Sequence, residues 1–359
     1  MKGAAAAGLA GAWLCAAAAV LAAPPSALLD FSAAERARIA SHGPWPGTEA
    51  PDLSNRVQGR AAAIAWGRAL FFDQRLSASA RLSCAGCHRP DRAFQDGRAT
   101  AMAAPQAEAG RRNTPSLLDA AQRRWLGWDG AHDSLWAASL APLLARDEMG
   151  QSAATVAALV RSDPRLRTGY RAAFARALPD DDEALLVDVA KALAAYQARL
   201  RSPRTAFDRF RDALVRGDLR AASRYPVDAQ RGLRLFIGAG RCSVCHAGAA
   251  FSNGEFADIG VPFFVPGGVD PGRHGGLQQL QRSGMSRLGP YNDAGDADPL
   301  AVTTRHVTIE PRHFGEFRVP GLRQLRHTAP YMHDGSLATV EDVVRHYSEL
   351  NEDRLHADG

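Results

Sequence analysis

The stretches "LSCAGCHRP" (residues 82–90) and "RCSVCHAGA" (residues 241–249) decide how this chain is read. In each, two cysteines three positions apart are followed at once by a histidine: Cys84, Cys87 and His88, then Cys242, Cys245 and His246. Thiols at this spacing can form thioethers with the two vinyl groups of one haem, and the adjacent imidazole then reaches the iron as an axial ligand. Zinc held by Cys₂Cys₂ or Cys₂His, and a thioredoxin-like dithiol, are the alternatives. Neither explains a histidine directly after both pairs, and the dithiol needs a βαβ setting that the pattern lacks.

Working outward, each motif follows a similar stretch. Gly67-Arg68-Ala69-Leu70-Phe71 parallels Gly232-Leu233-Arg234-Leu235-Phe236. The chain therefore reads as a duplicated cytochrome c unit. The expected fold is mainly α, two cytochrome c-like domains with one c-type haem each and long loops. Helices are predicted over Ala61–Phe72, from Asp181 to about Leu200, and from about Val340 to Tyr347 with Thr339 as N-cap. The second starts with acids and ends with arginines, as the helix dipole prefers. Strand signals are sparse, and 260–300, rich in Gly, Pro and Asp, reads as loops. The expected organisation is an export signal (1–22), an N-terminal extension (23–54), a first domain (55–205) and a second domain (206–359).

The 359 residues suffice for two cores, and 46% hydrophobic with 23% charged residues describes a globular chain. The formal charge of +5 comes almost wholly from arginines scattered among acids, which argues against a nucleic-acid partner. Lys2, an apolar run and small residues before Pro24-Pro25 have the layout of a secretory signal cleaved after Ala22. The run is nearly long enough for an anchor, but none like it follows. The expectation is a periplasmic protein without stable membrane insertion. Outside the signal, with its Cys15, all four cysteines belong to the two motifs.

Two further blocks, 111–150 ("RRNTPSLLDAAQRRWLGWDGAHDSLWAASLAPLLARDEMG") and 317–350 ("FRVPGLRQLRHTAPYMHDGSLATVEDVVRHYSEL"), complete a pattern. With the paired motifs they resemble the bacterial di-haem cytochrome c peroxidase / MauG family over about residues 55–350. The resemblance is nearest to the MauG-like branch of MbnH type. It implies two covalent haems c, a peroxide-reacting N-terminal haem, and a C-terminal haem that stores or relays an electron. It implies hydrogen peroxide as substrate, with a secreted protein substrate or a redox donor protein as partner. A plain peroxide scavenger and a non-catalytic electron carrier are the competing readings.

Residue by residue, the resemblance places Glu148 over the first iron, where a carboxylate can move a proton between peroxide oxygens. Read alone, Glu148 is equally a surface acid near a helix end. Pro142 would shape the same pocket, where Ala138 replaces a usual glutamine. Ala104 stands where relatives that close the first haem carry a histidine, so an open iron is implied. Trp128 would relay an electron hole between the haems; Trp125 and Trp136 read as core. Tyr347 stands where the peroxidases place a methionine ligand and MauG-like members a tyrosine. A phenolate, unlike a thioether, favours oxidised iron. Val340, Val343, Val344 and Tyr347 also make an apolar helical face, which fits a core tyrosine equally. Met285 and Met332 are rival ligands. Asn113, Thr328 and Pro330 match a calcium site, with neutral oxygens for a hard cation. Relatives continue through a further helix beyond the point matching Gly359, so a C-terminally truncated chain is one expectation.

Overall fold

The computed structural model describes residues 27–47, 51–102, 110–265 and 268–349. The expected export signal and Ala104 lie outside them. Among the described residues, thirteen α-helices and four two-residue strands make up most of the regular structure.

The predicted helices are present as Ala61–Phe71, Asp182–Gln197 and Val340–Glu349. Asp181 caps the second, its carboxylate accepting from the backbone amides of Glu183 and Ala184. From Leu185 to Gln197 this helix is buried all round, which makes it the axis of the helices gathered about it. The helices Ala61–Phe71, Leu135–Leu144 and Ala153–Ser162 pack on it, and Pro164–Phe174 packs on the first and third of these. A Cβ on Gly67 would lie 1.9 Å from the Ala192 carbonyl oxygen, so the close crossing of the first two helices requires glycine. The apolar cluster so formed runs from Val57 to Ala198 and includes Leu70, Phe71 and Trp136.

A second apolar cluster joins Phe31 and Ile39 to Phe210, Ala213, Ala222, Leu233 and Ile237. The N-terminal segment thus folds onto the helices around the second haem motif. Its helix, Ala33–Ser41, opens with a capping box between Ser32 and Glu35. Arg38 donates to the Ile237 carbonyl at 3.0 Å, and Arg323 stacks on the Trp45 ring at 3.6 Å.

The stretch 260–300 is not all loop. It contains the hairpin Phe264–Val265/Gly268–Val269 and the helix Arg273–Arg282. Gly275 and Gly276 hide that helix from a propensity reading. A Cβ at Gly276 would approach the Asp129 carbonyl oxygen to 2.3 Å. The following loop reaches back to the first domain. Lys191 pairs with Asp293 at 2.7 Å, and buried Arg287 pairs with Asp52 at 2.9 Å and Asp298 at 2.7 Å. Met285 and Tyr291 lie against the first apolar cluster.

Ser134 caps the Leu135–Leu144 helix, its hydroxyl accepting from the Ala137 amide at 3.2 Å. Ser134→Ala is expected to cost about 1 kcal/mol, read by chemical denaturation. Among the described residues no helix is long and apolar enough to cross a membrane.

Candidate functional site

The two cysteine–histidine motifs fold alike. Each closes a single turn, with His88 N donating to the Cys84 carbonyl at 2.8 Å and His246 N to the Cys242 carbonyl at 2.9 Å. None of these four cysteines forms a disulfide. His88 Nδ1 donates to the Phe94 carbonyl at 3.0 Å, and His246 Nδ1 to the Phe251 carbonyl at 3.1 Å. A carbonyl only accepts, so Nδ1 carries the proton and Nε2 keeps its lone pair, as an iron ligand must. Both phenylalanines adopt the left-handed backbone, φ 59° and 55°, which turns their carbonyls to the imidazoles.

The upstream repeats now acquire a purpose. Phe71 packs edge-on against Phe94 at 6.3 Å, and Phe236 against Phe251 at 6.0 Å. Each repeat helix therefore braces the residue that orients the histidine. A phenylalanine six residues after His88 and five after His246 was the signal available in the sequence.

Burial holds both imidazoles below the ordinary histidine range, against the opposing pull of the carbonyls. It pushes the Cys84 thiol up to about 12 and the Cys87 thiol to about 11. Neutral thiols beside a neutral, oriented imidazole fit covalent haem attachment. A structural zinc ion needs several such donors converging on one point, and among the described residues no group of three or more His, Cys, Asp or Glu is placed to hold a metal ion.

Glu148 sits in the turn after the Leu135–Leu144 helix, its amide donating to the Ala145 carbonyl at 3.1 Å. Pro142 lies inside that helix, two residues before its end, and its carbonyl accepts from the Met149 amide at 3.1 Å. This folds the Glu148 segment back beside the helix. One side of Glu148 is open, yet burial pushes its carboxyl above the ordinary range, and Asp147 adds to the shift. Its charge reaches both Cys84 and Cys87.

Tyr347 stands in the same relation to the other motif. Burial pushes its phenol up to about 12, with Cys245 and Cys242 as further contributors. Among the described residues, Val340, Val344 and Tyr347 form an apolar strip that is partly exposed on their helix. Met285, packed on the first apolar cluster, is not beside Tyr347 in any described contact.

Trp128 lies between the halves. Its Nε1 donates to the Asn113 carbonyl at 2.8 Å, and its own carbonyl accepts from Arg318 N at 2.8 Å. Trp125 and Trp136 are buried in core clusters. Gly130 ends the "WDG" turn with φ +66°; a Cβ there would strike Arg273 and Phe256 at 2.3 and 2.4 Å. Arg112 clamps the same turn across the halves, pairing with Asp129 and Asp270 at 2.7 Å each.

Asn113 Nδ2 donates to the Arg98 carbonyl at 2.6 Å. Gln95 Nε2 donates to the carbonyls of His327 and Ala329 at 3.2 and 3.0 Å. The segment 95–98 thereby ties Asn113 to the stretch holding Thr328 and Pro330.

Residues 61–215 match the CCP_MauG family, described as di-haem cytochrome c peroxidase. The methylamine utilization protein MauG of Methylorubrum extorquens is 34% identical over 291 residues, 81% of this chain and 70% of that protein. The cytochrome-c peroxidase IdrP1 of Denitromonas iodatirespirans is 32% identical over 319 residues, 88% of this chain and 80% of that protein. Among solved structures, a MauG-like protein associated with microbial copper homeostasis superposes with a TM-score of 0.61 at 27% identity. That likeness covers 84% of this chain and 81% of the other.

Proposed function

Because the chain belongs to the di-haem cytochrome c peroxidase / MauG family and is therefore a haem peroxidase, we propose that peroxide reacts at the N-terminal haem and that a partner protein is oxidised at a distance. One observation carries this reading: Glu148 is electrostatically linked to Cys84 and Cys87, and Tyr347 to Cys245 and Cys242. An acid stands by one cofactor site and a phenol by the other, so the two sites are built for different work.

Cys84, Cys87 and His88 would hold one haem and Cys242, Cys245 and His246 the other, and each would supply an iron able to take oxidising equivalents from peroxide. The protein does the rest. Glu148 would serve as the proton carrier for peroxide in that pocket, its carboxylate accepting one proton and giving it up again. Pro142 keeps that pocket's wall in place. Trp128, fixed by Asn113 and by the Arg318 amide, offers an oxidisable ring between the halves. Tyr347 would offer the second haem a hard oxygen donor, which suits holding an oxidising equivalent more than drawing electrons from a reduced cytochrome. Asn113, Thr328 and Pro330 would hold a calcium ion between the halves through neutral oxygens.

The domain limits at 55–205 and 206–359, the export signal and a periplasmic location complete the proposal. The proposed partner is a secreted protein whose oxidisable side chain is modified.

The test is peroxide added to the diferric protein under optical and near-infrared recording. Charge shared between the two haems should give a near-infrared band, which Trp128→Phe should weaken. A secreted partner should then gain a mass change. Fast turnover with a reduced cytochrome and no such band would favour scavenging instead. Two inert six-coordinate irons would overturn the enzyme reading for this chain's sites.

A further inference from the structure

Two buried guanidinium groups have no carboxylate at ion-pair distance among the described residues; Asp129 and Asp119 act on Arg318 and Arg123 only from further away. Arg318 is 5% exposed, and its side chain donates only to the carbonyls of Gly127 at 3.2 Å and Val319 at 3.5 Å. Arg123 donates only to the carbonyls of Ser116 at 3.0 Å and Leu118 at 2.8 Å. Neither has a carboxylate within hydrogen-bond reach among the described residues. They are also near enough to repel: burial first, then the charge of Arg123, pushes Arg318 down to about 9. Burying two like charges together is among the costliest arrangements a protein can adopt unless an anion comes between them.

Their placement says which anion. Arg123 grips Ser116, next to Pro115, whose carbonyl faces His88; its charge is also felt by His88. Arg318 grips Val319, next to Pro320, whose carbonyl faces His246. One cation thus comes from each histidine's wall, and Arg318 lies 5.9 Å from the Trp128 ring. On the Arg123 side two more buried polar atoms, Thr114 Oγ1 and Gln122 Nε2, lack partners.

We infer that Arg123 and Arg318 form a shared cationic clamp for the propionate carboxylates of the two haems, where the halves meet. This rests on the reading that His88 and His246 each hold a haem. The clamp neutralises both arginines and fixes the edge of each cofactor beside Trp128. A positive charge held there favours the reduced iron, so its loss lowers the midpoint potential.

The test is spectroelectrochemical titration of the di-haem protein. Arg318→Gln and Arg123→Gln should each lower a midpoint potential with two haems still bound, and Arg318→Lys should restore most of the Arg318 shift. Unmoved potentials in both glutamine variants, with two haems present, overturn the clamp alone. Fewer than two haems in the wild-type protein overturns the site assignment and the clamp with it. Should Arg318→Gln fail to load haem, redox infrared difference spectra read the propionate carboxylate bands directly. Identical bands in wild-type and Arg123→Gln protein then overturn the proposal.

Discussion

Glu148→Gln is expected to slow the reaction with hydrogen peroxide by about 100- to 10,000-fold, the range for losing one positioned proton carrier. The amide keeps the shape of the side chain, so haem content and the resting spectrum should stay unchanged. Stopped-flow mixing of peroxide with the diferric protein measures the loss. The pH profile separates chemistry from structure. Burial holds the Glu148 carboxyl above its ordinary range, and only its ionised form can accept the peroxide proton. The wild-type rate should therefore rise with pH through a midpoint above the usual carboxylate value. In Glu148→Gln that acid limb should vanish. A variant as fast as wild type would remove Glu148 from the mechanism.

Arg287→Met is expected to destabilise the fold by about 3–5 kcal/mol, the cost of breaking a buried ion pair from one side. Arg287 lies between Asp52 and Asp298, both at ion-pair distance, with side-chain exposures of 5%, 13% and 1% for the three. It also donates from Nε to the Asp133 carbonyl at 2.8 Å. Methionine replaces the stem but leaves two carboxylates facing an apolar group. Urea denaturation measures the loss, and Arg287→Met combined with Asp298→Asn should recover part of it. A loss under 1 kcal/mol would mean that water reaches this cluster.

The parts of the fold set by local pattern were legible. The Asp182–Gln197 helix announces itself by acids at its start and apolar residues at helical spacing, and the haem motifs by their three chemical groups in five positions. The acid and phenol positions were legible only through resemblance, because one glutamate or tyrosine has no local signature. What stayed hidden depends on distance along the chain. Lys191 finds Asp293, and Arg287 finds Asp52, through loops whose composition says only that they turn. The helix Arg273–Arg282 was missed for a different reason. Its glycines disfavour a helix in isolation, yet the second one lets the "WDG" turn approach closely. The buried arginines looked like ordinary surface charge, since burial is a property of the assembled halves.

The segment around residues 27–47 bears on the order in which the molecule is completed. It is made before the elements it packs on, and its contacts, such as Arg38 with Ile237, span 199 positions. Ribosomal synthesis can finish the first half while this leading strap still waits for its seat. The second half then closes last, around a piece of chain that has been ready since the beginning. Shortening the leading end should therefore harm the half encoded furthest from it, and leave the nearer half able to mature.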